Sequence, residues 1–171
     1  MIYPAAGLDA FRPGLHAENL QGLVDSERYI EQLLEESSRQ ARDPRARVYL
    51  WETSKECRDH ARTLYRHLMG TETDAENEAD PSGFNNVCKI NIRNVRDPLA
   101  LAIRESLGLK LSYQEASKRE SERYLKKFLE ILSKEHRELG RNFALILAGA
   151  VDAAFPIDEN FGEVLQGRIT L

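Results

Sequence analysis

Apolar residues recur at intervals of three and four over most of the chain, the spacing of one face of an α-helix. In the segment 26–41, Tyr29, Ile30, Leu33 and Leu34 share such a face, and Asp25 or Ser26 can cap its start. Pro44 opens a second segment, in which Leu50, Ser54, Cys57, Ala61, Leu64, Tyr65 and Leu68 lie on one side. Glu52, Lys55, Glu56, Asp59, Arg62 and Arg66 lie on the other, and Gly70 is the expected stop. The few residues between these helices predict an antiparallel hairpin.

Residues 71–86 have acids, Pro81 and Gly83 without periodicity, which predicts a flexible acidic loop. Cys88, Ile90 and Ile92 then alternate with polar residues, predicting a minor β-element near 87–93. A strand needs a partner, and residues 168–171, Ile2 with Tyr3, or a second molecule could supply one. Asp97-Pro98 predicts a helix start and Gly108 its stop. Ser112 and Glu115 form a capping box that opens a long helix to about Leu139, with Tyr124, Phe128, Ile131, Leu132 and Leu139 on one stripe. Gly140 ends it, and residues 142–155, with one charge, predict a helix apolar on all sides and therefore enclosed by others. That segment is shorter than the roughly 20 residues needed to cross a bilayer. The expected architecture is mostly all-α: a single-domain bundle over 1–171, of about five helices around the central helix 142–155.

Composition narrows this picture without redirecting it. A chain of 171 residues with 42% apolar and 30% charged residues suits one globular domain. Two cysteines cannot form a disulfide framework, which points to a reducing, cytoplasmic setting. The N-terminal residues predict neither a signal peptide nor a membrane anchor. The net charge of −4 disfavours nucleic acid, and the acid run 72–80 and the base-rich stretch 110–127 read as solvated surfaces.

Candidate chemistry is sparse. Glu31 and Glu35 on the first helix, with Glu52, Glu56 and Asp59 on the second, could place two carboxylate rows together for a hard cation. Glu56 and Asp59 resemble the second half of the pattern of all-α nucleotide pyrophosphohydrolases, whose preceding Glu-x-x-Glu is absent. Arg62 and His67 match the Arg-x4-His spacing of HEPN ribonucleases, which implies a site completed across a dimer. His136 with Gly140 resembles the histidine phosphotransfer pattern, although Leu139 stands where those domains carry lysine. Residues 103–119 are similar in layout to the first two elements of a helix-turn-helix, with Lys118, Arg119 and Arg123 as bases and no third element.

Two carboxylates sit out of place. Glu135 falls on the stripe of Phe128, Leu132 and Leu139, and Asp152 interrupts the apolar segment. A polar core pocket of Glu135, Arg141 and Asp152 would satisfy both. No cofactor motif and no metal-ligand cluster emerges. The expected function is a non-catalytic helical interaction or regulatory protein acting through a protein partner or as a homodimer, away from membranes. The alternatives are a metal-dependent nucleotide- or RNA-processing enzyme, using Glu31, Glu35, Glu56 and Asp59 or Arg62 and His67, and a helix-turn-helix-like nucleic-acid-binding regulator.

Overall fold

A computed structural model describes residues 2–3, 19–70, 89–90 and 97–149. They form β1 (Ile2–Tyr3), α1 (Leu20–Gln40), α2 (Pro44–Met69), β2 (Lys89–Ile90), α3 (Pro98–Arg119) and α4 (Arg123–Leu147). The fold is all-α in its substance. β1 and β2 pair in parallel over two residues each, Ile2 with Lys89 and Tyr3 with Ile90. The rest of the expected strand 87–93, and the expected loop 71–86, lie outside the described residues.

Local chemistry sets the helix ends. Asn19 accepts from the Gly22 amide to cap α1, so this helix begins earlier than the cap expected at Asp25 or Ser26. α2 starts on Pro44, with Asp43 as cap, and closes on Gly70 in the left-handed conformation at φ 68°. Both bounds match the expectation, because proline and glycine act there through backbone geometry.

The later boundaries differ. Four helices, not five, are present among the described residues. Gly108 is buried inside a continuous α3 and Gly140 inside a continuous α4. A Cβ on Gly140 would stand 3.1 Å from the Leu107 side chain, so that glycine lets α4 approach α3 and does not end a helix. The long helix expected from Ser112 is broken at 120–122, where the Glu122 side chain accepts from the amides of Tyr124 and Leu125 and caps α4. The central helix 142–155 is therefore corrected. Residues 142–147 are the last turns of α4, and of 142–149 only Phe143 is buried while Ala144 and Leu147 are exposed. Residues 150–155 lie outside the described residues.

Cross-helix contacts fix the directions. Ser38 Oγ donates to the Arg47 carbonyl across the α1–α2 turn, which makes that pair antiparallel. Asn142 bonds Tyr49 at one end of the α2–α4 contact and the His67 and Tyr124 rings meet at the other, so these also run antiparallel. Ser133 Oγ donates to the Lys110 carbonyl, and with the Gly140–Leu107 approach this orients α4 against α3. The bundle is thus α1–α2–α4–α3 in circular order, with α1 and α4 facing across its diagonal. Residues 70 and 97 lie at opposite ends of it. Tyr29, Ile30, Leu33, Leu34, Leu64, Leu109, Leu129 and Phe143 fill the interior, each apolar side chain contributing roughly 1.5–3 kcal/mol by leaving water.

Candidate metal centre

The middle of that interior is polar. Glu27 is in step with Leu23, Val24, Ile30 and Leu34 on α1, so helix periodicity carries its carboxylate into the core, where it is 0% exposed. His136 is in step with Leu129, Leu132 and Phe143 on α4 and is equally buried. Tyr113 arrives from α3 and His60 from α2, one turn after Cys57.

These groups converge on one oxygen. The Tyr113 hydroxyl donates to Glu27 Oε1 at 2.5 Å, His136 Nε2 lies 2.8 Å from the same atom, and His60 Nδ1 stands 3.7 Å away. The His60 and His136 rings are 6.4 Å apart, and Tyr113 and His136 5.6 Å. Glu27 Oε2, His60 Nδ1 and His136 Nδ1 have no hydrogen-bond partner among the described residues. On its outer side His60 Nε2 lies 3.2 Å from Glu135 Oε2. His60 and Glu135 line a cleft of about 410 Å³ with Glu56, Lys134, Glu138 and Leu139. A cavity of about 450 Å³ near the α1–α2 turn, between Leu50, Leu99 and Ile146, is bordered by none of the converging groups.

Burial drives the Glu27 carboxyl upward, but the charge and hydrogen bond of His136, together with His60 and Tyr113, hold it below its ordinary value. Burial likewise pulls His60 down, and the Glu135 hydrogen bond with the charges of Glu27, Glu135 and Glu56 raises it overall. The His60 hydrogen bond and charge keep Glu135 below the usual carboxylate range against its partial burial. Burial, then Glu27, push the Tyr113 phenol and the Cys57 thiol well up. Cys57 is therefore held as a thiol, a form of low reactivity.

Glu27, His60 and His136 each offer a ligand atom, and these atoms lie within 4.8 Å of one another. One carboxylate and two imidazoles suit a first-row divalent ion.

Among the described residues, two of the expected site residues, Glu56 and Glu135, border the cleft beside His60, and the others fall elsewhere. Glu31 is buried beside Arg28 and Arg58, Glu52 pairs with Lys55, and Asp59 pairs with Arg62, so the two carboxylate rows do not converge. Glu35 lies one turn beyond Glu31 on α1, close enough for its charge to act on that carboxyl. Arg62 is engaged by Asp59 while His67 packs on Tyr124. His136 is fully buried, which removes the phosphotransfer reading, since a phosphoacceptor must meet solvent and a partner. The helix-turn-helix reading loses its turn in the unbroken α3.

Glu135 does belong to a polar cluster, but not to the pocket expected. Arg141 faces solvent 3.8 Å from Glu138, and Asp152 lies outside the described residues. Glu27, His60, Tyr113 and His136 are the groups the sequence reading passed over as a set. The available signal was an acid or histidine in register with an apolar stripe. Protein-family models, curated proteins and solved structures were compared with the chain, and none matches it.

Proposed function

We propose that this chain binds a single divalent transition-metal ion in the centre of its helical bundle, through Glu27, His60 and His136. The observation that carries the reading is the meeting of three ligand-type atoms from three helices within 4.8 Å, with Glu27 and His136 wholly buried. Helical bundles build metal sites in this way, from side chains of facing helices. Two-metal versions need a Glu-x-x-His pair on each of two helices. Here the residues one turn before the histidines are Cys57 and Ser133, and Ser133 is already bonded to Lys110. Glu105, the buried carboxylate of α3, pairs with Arg104. Ligands for a second ion are therefore lacking among these groups.

Three protein ligands leave at least one coordination position for water or a small molecule. His136 Nε2 now lies within hydrogen-bond distance of Glu27, so ligation through that nitrogen requires it bare of a proton, and His60, held above its ordinary value, must give up its extra proton to ligate, so binding is expected to release protons. Thermal unfolding of the metal-free protein should rise by about 5–10 °C with Mn²⁺, Co²⁺ or Zn²⁺ at a hundredfold excess over Kd, the effect of about 2.7 kcal/mol of linkage. His136→Ala should abolish the rise. No shift with any of the three ions would reduce the cluster to a hydrogen-bonded core network.

A second reading, contact with a protein partner or a second copy through a helix face, draws support from Leu107 and Leu111. These are one turn apart on α3 and 45% and 53% exposed. Light scattering of the wild type against Leu107→Lys/Leu111→Lys tests it. An unchanged monomer for both proteins would remove the homodimer.

A further inference from the structure

His60 is the ligand that joins the buried centre to the outside. Its side chain is 18% exposed, whereas those of Glu27 and His136 are 0%. It borders the cleft as well as the core. Its two nitrogens therefore have different tasks. Nδ1 faces Glu27 Oε1 at 3.7 Å, too far for a hydrogen bond, and Nε2 faces Glu135 Oε2 at 3.2 Å. An imidazole can ligate only through a bare nitrogen, and which nitrogen is bare follows from where the other one donates.

Glu135 stands one residue before His136 on α4, so the helix that supplies one ligand also supplies the anchor of another. The 47% exposure of its side chain and its place in the cleft wall put it outside the ligand set. Charge favours the same arrangement. A divalent ion on one carboxylate and two neutral imidazoles leaves a positive centre in a low-dielectric core, and a carboxylate one imidazole away offsets it.

We propose that Glu135 is the positioning residue of this metal centre: by accepting from His60 Nε2 it presents His60 Nδ1 to the ion. The inference rests on the metal reading above and adds to it which atom of His60 ligates and what holds it there. Carboxylate groups behind ligating histidines affect metal affinity by about 10- to 100-fold.

The test is a Co²⁺ titration of the full chain, with free Co²⁺ set by a competing chelator and the visible absorption of the bound ion as readout. Glu135→Ala is expected to weaken binding by about 10- to 100-fold and to alter the bound-ion spectrum, because the His60 ring is no longer fixed. Glu135→Gln retains an oxygen that accepts from Nε2 and should fall between Glu135→Ala and the wild type. Glu138→Gln, in the same cleft but paired outward with Arg141, should bind like the wild type. Glu135→Ala with unchanged affinity and spectrum would overturn the positioning role while leaving the centre intact. Absence of a bound-ion spectrum in the wild type would instead remove the centre and this role together. Circular dichroism of each metal-free variant separates loss of ligation from loss of fold. Should Glu135→Ala not fold, the partial loss in Glu135→Gln decides the matter.

Discussion

Glu27→Ala is expected to cost about 3–5 kcal/mol of folding stability, the largest effect of any single substitution in the polar core. The change deletes the acceptor on which Tyr113 and His136 both converge, leaving a phenol and an imidazole buried without it. Each orphaned group carries a desolvation cost of about 1–3 kcal/mol, and the cavity left by the carboxylate adds to it. His60 also loses its inner negative neighbour, 3.7 Å away. Glu27→Gln separates these effects from ligation. It keeps the volume and a carbonyl oxygen for Tyr113, so its metal-free stability should fall by only about 1–2 kcal/mol. A neutral amide is a poor ligand for a transition metal, so the stabilisation by Co²⁺ or Zn²⁺ should vanish in this variant. Urea unfolding followed by circular dichroism, with and without the ion, reads both quantities. If Glu27→Ala lies within about 1 kcal/mol of the wild type, the core does not depend on this carboxylate. If Glu27→Gln keeps the full metal response, Glu27 is not a ligand.

The helical class and the α1–α2 hairpin were legible because they depend on periodicity and on residues that act through their own backbone, as Pro44 and Gly70 do. Glycine read as punctuation was misleading at Gly108 and Gly140. A glycine pressed between helices and a glycine ending a helix look alike until the partner helix is known, and at Gly140 that partner is Leu107 on α3. Glu122 was hidden for the opposite reason. Glutamate lies outside the favoured N-cap set of Ser, Thr, Asp and Asn, so nothing marks Glu122 as a cap among 28 acids. The same dilution concealed Glu27, one carboxylate in register with an apolar stripe. Glu135 was noticed by that register argument, one residue away from His136, which turned out to be the buried group. Periodicity shows which face a residue lies on, but not which faces of four helices meet. The cluster of Glu27, His60, Tyr113 and His136 exists only through that meeting.

The second large effect concerns pH and a different carboxylate. Glu31, one turn beyond Glu27, is 3% exposed, and burial pushes its carboxyl from 4.5 to about 7 against the charges of Arg28 and Arg58, with Glu35 adding to the rise. Between those two values the folded protein holds a proton on Glu31 that the unfolded chain has released. Its contribution to stability is therefore present below about pH 4.5 and is lost as pH climbs to 7, by roughly 3 kcal/mol in all. His60 acts in the same direction. Its folded value is raised above 6.5, so what it contributes is present below that pH and fades as pH rises through the folded value. Glu27 and Glu135 oppose both at the acid end, since their lowered values make their contribution present above 4.5 and lost as pH falls through the folded values. Stability of the metal-free protein should accordingly peak in mildly acidic solution and decline toward neutrality. Glu31→Gln, a neutral side chain of the same shape, should match the wild type near pH 4.5 and exceed it progressively up to pH 7 and beyond, most of the neutral-side decline disappearing with the carboxylate. Urea midpoints measured across that range in both proteins give the comparison. A constant offset between the two curves would mean that Glu31 stays ionised throughout, and that its pairing with Arg28 and Arg58 outweighs its burial.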